Sequence, residues 1–210
     1  MKTNITQLTN IRLFISFLFL SAIGLWSCDP KDPEKEDTPE LITKITLTFT
    51  PTDGSATIVM NASDPDGEGV LDITQENADA VLNSSKTYDL AVSLFNELAE
   101  PGSPDYNIGN EVEEEGNEHL LLFGWTGNLF TNPAGNGNID NRTDPVNYTD
   151  TDSENLPIGL TTRWETTGSG LPASGTLRIV LKHQPGQKTA TSGNSTGETD
   201  LDVTFNIVVQ

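Results

Sequence analysis

The chain has 210 residues, with 31 acidic against 11 basic side chains, a formal charge of −20 and a single cysteine. That acidity excludes attraction to nucleic-acid phosphates or anionic bilayers, and one cysteine excludes an internal disulfide. With 34% hydrophobic residues, the length suits one domain with a true core.

Lys2 and Arg12 precede an apolar run from Leu13 to Leu25, which ends at Trp26-Ser27-Cys28. A basic start, a short apolar stretch and a small residue at its end are the parts of a secretory signal. A spanning helix needs about 20 apolar residues, and this run is shorter. Leu25, Ser27 and Cys28 resemble a bacterial lipobox, in which Cys28 is lipidated and becomes the new N-terminus; Trp26 departs from the usual small residue. Removing residues 1–27 takes away two basic residues and no acid, so the remainder is more acidic still. The tract from Asp29 to Glu40, DPKDPEKEDTPE, has three prolines, alternating charge and no large apolar residue. It cannot bury enough surface to fold and reads as a stiff, extended tether. The expected organisation is a signal at 1–27, a disordered charged tether at 28–40 and one domain at 41–210.

From Leu41 onward the apolar residues alternate at period two. Leu41–Thr50 sets Ile45, Leu47 and Phe49 on one face. Ala56–Ala62 follows after the turn residues Pro51-Thr52-Asp53-Gly54. Further strands are expected at Lys86–Phe95, His119–Trp125, Ile158–Thr166, Thr176–His183 and Leu201–Val209. Single helical turns are expected within Asn77–Asn83 and Asn110–Glu118. Long loops fill Glu97–Glu118, Thr126–Leu156 and Pro185–Thr199, the last reading as a flexible hairpin loop. Seven to nine strands between Gly, Asn, Asp and Pro clusters predict an all-β, antiparallel, immunoglobulin-like sandwich. Trp125 and Trp164 fall in core phase.

Three constellations carry candidate chemistry. Asp64, Asp66, Glu68 and Asp72 place oxygens at positions 1, 3, 5 and 9 of a loop with glycine at 6, as in a calcium-binding EF-hand loop, but Gln75 stands where the bidentate acid belongs. Asp150, Asp152 and Glu154 repeat the one-three-five spacing, a second calcium candidate; Asn136, Asn138 and Asp140 repeat it again. The same residues also favour plain turns. His119 opens one expected strand and His183 closes another, both in apolar phase. If the strands are antiparallel neighbours, both imidazoles share one end, with Glu115 or Glu118 at hand. That donor set suits zinc or copper, and capture should weaken below about pH 6 as the rings protonate. Gly193-Asn194-Ser195-Thr196-Gly197 matches a hydrolase elbow in letters only, because both histidines precede it. No carboxylate pair is singled out for glycoside hydrolysis, so a carbohydrate-active enzyme stands as an alternative without a catalytic set.

Asp64-Pro65-Asp66-Gly67, Glu118-His119, Asp150-Thr151-Asp152-Ser153, Gly159-Leu160-Thr161-Thr162, His183-Gln184-Pro185 and Asp200 to Phe205 resemble small lipoproteins of Bacteroidota-type bacteria encoded beside TonB-dependent receptors. The start of the tether is similar to their surface-export signal. Such proteins sometimes carry the label of a type 1 periplasmic binding fold, which alternates strands with helices that this sequence lacks. The resemblance implies a non-enzymatic accessory binding protein, held by Cys28 lipid at the outer membrane on its periplasmic face or at the cell surface. It would assist a TonB-dependent uptake system and take a metal ion or small solute, with no nucleic-acid partner. A calcium-stabilised structural or adhesive module is the alternative.

Overall fold

Each long strand has one apolar and one polar face, and two sheets form by turning the apolar faces together. The structure, a computed structural model, describes residues 40–67, 72–76 and 79–210. The signal, Cys28, nearly all of the tether and Glu68 lie outside the described residues. No helix among the described residues is long and apolar enough to cross a membrane.

The first sheet contains β1 (Lys44–Pro51), β2 (Ile58–Ser63), β3 (Thr74–Gln75), β5 (Thr87–Phe95), β7 (Phe130–Asn132) and β8 (Thr161–Thr166), in the order β3-β2-β1-β5-β8-β7. The second contains β4 (Ala80–Leu82), β6 (His119–Trp125), β9 (Ala173–His183) and β10 (Glu198–Val209), in the order β4-β10-β9-β6. Every named pair is antiparallel except β4 on β10, which is parallel. In β1, Ile45, Leu47 and Phe49 are fully buried while Lys44, Thr46 and Thr48 stay half-buried. Between the sheets Trp164 is an aromatic hub: Phe130, Trp125 and Phe123 meet its ring at 4.7, 5.1 and 5.7 Å. Such tilted and edge-on contacts suit the ring quadrupoles.

The expected all-β sandwich is present, and β6 has the boundaries read from the sequence. Ten strands form among the described residues, above the expected seven to nine, because β3, β4 and β7 are too short to show a period. In the segment expected to make a helical turn, Ala80–Leu82 instead forms β4. Pairing with Ile207–Val209 and full burial of Leu82 override its local preference. The helix α1 spans Ile108–Glu114, earlier than expected, because Ile108 and Val112 are its buried face.

β6 and the end of β9 depart from alternation. Leu121, Phe123 and Trp125 enter the main core, while Leu120 and Leu122 join Val180 in a second cluster on the opposite face. A strand buried on both faces reads as a continuous apolar run, which HLLLFGW is. Ile139 and Tyr148, from the long loop after β7, cover that second face. Buried Asn138 accepts the Phe123 N–H on Oδ1 at 3.0 Å and donates through Nδ2 to the Tyr148 hydroxyl at 2.9 Å. Tyr148 in turn donates to the Leu121 carbonyl at 2.7 Å. Gly137 (φ +93°) makes this contact sterically feasible, since a Cβ there would lie 2.0 Å from the Phe123 oxygen.

Tyr148→Phe keeps the ring and deletes the hydroxyl, leaving the Leu121 carbonyl and the Asn138 amide short of a partner. It should cost about 1–3 kcal/mol. The check is a urea titration with a lower midpoint at unchanged slope; an unchanged midpoint would show that the loop is held by its apolar contacts alone.

Candidate functional site

Phase and register decide where the histidines go. β6 pairs with β9 so that His119 faces His183, Leu121 faces Leu181 and Phe123 faces Ile179. Both histidines therefore share the inward phase and the same end of the second sheet. Their rings stack at 4.7 Å between centroids, 6° from parallel. His119 is fully buried; His183 is buried beside a cleft of about 150 Å³ that it lines with Pro185, Gln187, Gly197 and Glu198.

The acids arrive from α1 and the turn after it. The Glu115 N–H bonds to the Glu111 carbonyl at 2.8 Å, and the Glu118 N–H to the Glu115 carbonyl at 2.8 Å. This tight turn also puts the Glu115 carbonyl 3.3 Å from His119 Nδ1. Ligand atoms of Glu115, His119 and His183 all lie within 4.8 Å of one another, and so do those of Glu40, Glu111 and Glu115. Glu118 Oε2 lies 3.7 Å from His183 Nε2. The structure thus gathers all four residues expected for a transition-metal ion, with Glu40 and Glu111 added alongside.

Asp200 was not foreseen. In β10, Thr199 pairs with Lys182 and Leu201 with Leu181, so Asp200 is the extra residue of a bulge. Strict alternation would give it the outward phase of Asp202, which pairs with Arg178 at 2.7 Å. The bulge breaks that phase, and Asp200 is buried with Oδ2 3.8 Å from His119 Nε2. Burial, then the neighbouring His183, pulls the His119 pKa down to about 4. Burial pushes Asp200 up to about 6, against the opposing pull of His183 and the Glu40 N–H.

The calcium candidates are used differently. Asp64 is buried and its Oδ1 accepts the Gly67 N–H at 3.2 Å, while Asp66 and Asp72 are exposed. Both Asp150 oxygens accept backbone N–H groups, from Gly159 at 2.9 Å and Thr161 at 3.0 Å. Asp152 Oδ1 accepts from Glu154 and Leu156, and its Oδ2 lies 2.8 Å from Lys188 Nζ, both side chains 1% exposed. Burial alone would favour neutral forms of both. The ammonium and the two backbone donors outweigh it and hold the Asp152 carboxyl below its usual range. A cation seated there would compete with that ammonium. Lys188 also donates to the Gly116 carbonyl at 2.6 Å, which ties the last hairpin loop to the acidic turn. That loop is packed instead of free, since buried Gln184 donates to the Gly193 and Thr196 carbonyls and accepts from Ser192 Oγ.

The His119–Asp200 pair gives stability a pH dependence whose two parts oppose. An unfolded imidazole takes its proton near pH 6.5 and folded His119 only near 4, so its contribution is full above 6.5 and lost as pH falls to 4. Folded Asp200 takes a proton near pH 6 and unfolded Asp near 3.8, so its contribution is full below 3.8 and lost as pH rises through 6. Relative to wild type, Asp200→Asn should lose stability as pH falls from 6 to 4, by up to about 1.4 kcal/mol per pH unit. His119→Gln should gain over the same window. Urea midpoints at half-unit steps decide it, and slopes identical to wild type would uncouple the pair from folding.

Comparison with family models, curated proteins and solved structures finds no match to this chain.

Proposed function

We propose that this protein is a lipid-anchored, non-enzymatic binding module of the cell envelope that captures a divalent transition-metal ion at its histidine end. The observation that carries the reading is the His119–His183 stack with Glu115, three donors gathered within 4.8 Å. Two imidazoles and a carboxylate suit borderline ions such as zinc or copper better than calcium, which takes oxygen ligands. The acids Glu40, Glu111 and Glu118 around them raise the local concentration of cations. Burial keeps His119 neutral to about pH 4, well below the pH 6 expected for an exposed ring, and a neutral imidazole is the ligating form.

Imidazole lone pairs lie in the ring plane, so parallel rings do not aim at one point. Capture therefore requires one ring to turn, and His183, beside the cleft, is the one with room. The lipobox at Cys28 and the charged tether support anchoring in the outer membrane. The likeness to lipoproteins encoded beside TonB-dependent receptors supports service to such an uptake system. A second reading, capture of a small cationic solute, is favoured by a cleft of about 500 Å³ between Glu113, Glu114 and Asp150 with Ile158 and Leu160 in its wall.

Calorimetric titration with zinc at neutral pH should show one site in wild type and marked weakening in His119→Ala and His183→Ala. Zinc at a hundred times Kd should also raise stability by about 2.7 kcal/mol. Identical isotherms for the three proteins would leave two core histidines and no site. The anchor is tested separately with a fatty-acid probe, where equal labelling of wild type and Cys28→Ala would exclude lipidation at that cysteine.

A further inference from the structure

We propose that Lys188 and Asp152 join covalently: the Lys188 Nζ forms an amide with the Asp152 side-chain carbon and one water is expelled. The folded domain would thereby cross-link two of its own long loops. This stands apart from the histidine end and needs no ion or co-reactant.

Lys188 comes from the loop between β9 and β10, and Asp152 from the loop between β7 and β8. Nζ lies 2.8 Å from Oδ2, with both side chains 1% exposed, so the contact bears the cost of two buried charges. The hydrogen bonds around it suit an amide as well as they suit the ions. Nζ donates to the Gly116 carbonyl at 2.6 Å, and an amide N–H would donate there too. Oδ1 accepts from the Glu154 and Leu156 N–H groups at 2.9 and 2.8 Å, and an amide oxygen would accept the same two bonds. That leaves Oδ2. Among the described residues it is buried and accepts no hydrogen bond, since the ammonium beside it is close but out of alignment. Buried polar atoms are seldom left so. Here it is the one atom that the product discards.

The protons balance within the pair. Of the three on the ammonium, one stays on Nζ for the Gly116 carbonyl. A second passes to Oδ2, which turns the resting ions into an amine and a carboxylic acid. Burial favours that step, and it pulls the Lys188 ammonium below its usual range against the opposing pull of Asp152. The Nζ lone pair then bonds to Cγ, and the carbonyl electrons move onto Oδ1. Two backbone N–H groups already aimed at Oδ1 stabilise that charge as an oxyanion hole does. The third proton moves to Oδ2, the Cγ–Oδ2 bond breaks, the carbonyl re-forms and water leaves. Asp152 and Gly116 line the cleft of about 500 Å³ that receives it. Groups held in reacting contact behave as if present at about 10⁵–10⁸ M, which offsets the poor reactivity of an unactivated carboxyl.

The test is mass spectrometry of the full chain, denatured and digested with trypsin. Cleavage after Arg142, Arg163 and Lys182 should release residues 143–163 and 183–210 as one branched peptide, uncut at Lys188 and lighter than its two parts by one water. Fragmentation should place the branch between Lys188 and Asp152. Lys188→Arg keeps a cation but has no amine to acylate, and should yield the two segments unlinked. The linked fraction should grow with time in folded wild type and stay flat in urea, which would show that the fold drives the reaction. Wild type needs no variant to decide the matter. If folded wild type, after prolonged incubation at neutral pH, still gives a free 143–163 peptide and cleavage after Lys188, the contact is an ordinary ion pair and the proposal is overturned. A loss of water mapped elsewhere, with Lys188 still cut, overturns it equally.

Discussion

The hydrogen-bonded ladder between β6 and β9 holds His119 opposite His183, and one residue of slip in β6 would send the His119 ring to the other face, away from His183. That register is fixed by apolar packing on both sides of β6. Leu121 and Phe123 lock into the main core, and Leu120 and Leu122 lock under Ile139 and Tyr148. A strand so held cannot slide to relieve crowding at its end. The stacked imidazoles are thus imposed by contacts up to six residues away along the strand, and the polar end inherits its order from the apolar middle.

The turn from α1 into β6 is the other fixed piece. α1 is short and anchored by Ile108 and Val112, and its last carbonyls are taken by the N–H groups of Glu115 and Gly116. The Lys188–Asp152 pair pins Gly116 from outside, and breaking such a buried pair by removing one partner typically costs about 3–5 kcal/mol. The acids beside the histidines are consequently held on rigid backbone, although their own side chains are half-buried.

The sequence made much of this legible and hid the rest for definite reasons. Alternation in Ile45-Thr46-Leu47-Thr48-Phe49 located β1 to within three residues, because one face meets core and the other water. The apolar phase of His119 and His183 was equally readable, and it gave the shared end once their strands were neighbours. Asp200 was unreadable, since alternation assumes an unbroken ladder and a bulge leaves no mark in composition. β4 was misread because three residues carry no period and their partner lies more than a hundred positions away. The oxygen spacing at Asp150 and Asp152 was real, but the same spacing serves carboxylates that receive backbone N–H groups at a turn.

β6 is also the edge of its sheet, and Leu-Leu-Leu-Phe without a charge is the kind of segment that recruits copies of itself. Five of its outward backbone groups are spoken for. The Leu121 N–H goes to the Ile158 carbonyl and the Leu121 carbonyl to Tyr148; both Phe123 groups go to Asn138; the Trp125 N–H goes to Asn136. The loop after β7 therefore acts as a substitute strand, closing the edge with irregular chain that no second molecule can copy. For so acidic a domain, like charge keeps neighbouring copies apart at long range. This seal removes what they could do on touching, and any change that lifts the Asn136–Asn138 segment would unmask a template for self-association before it unfolded the sandwich.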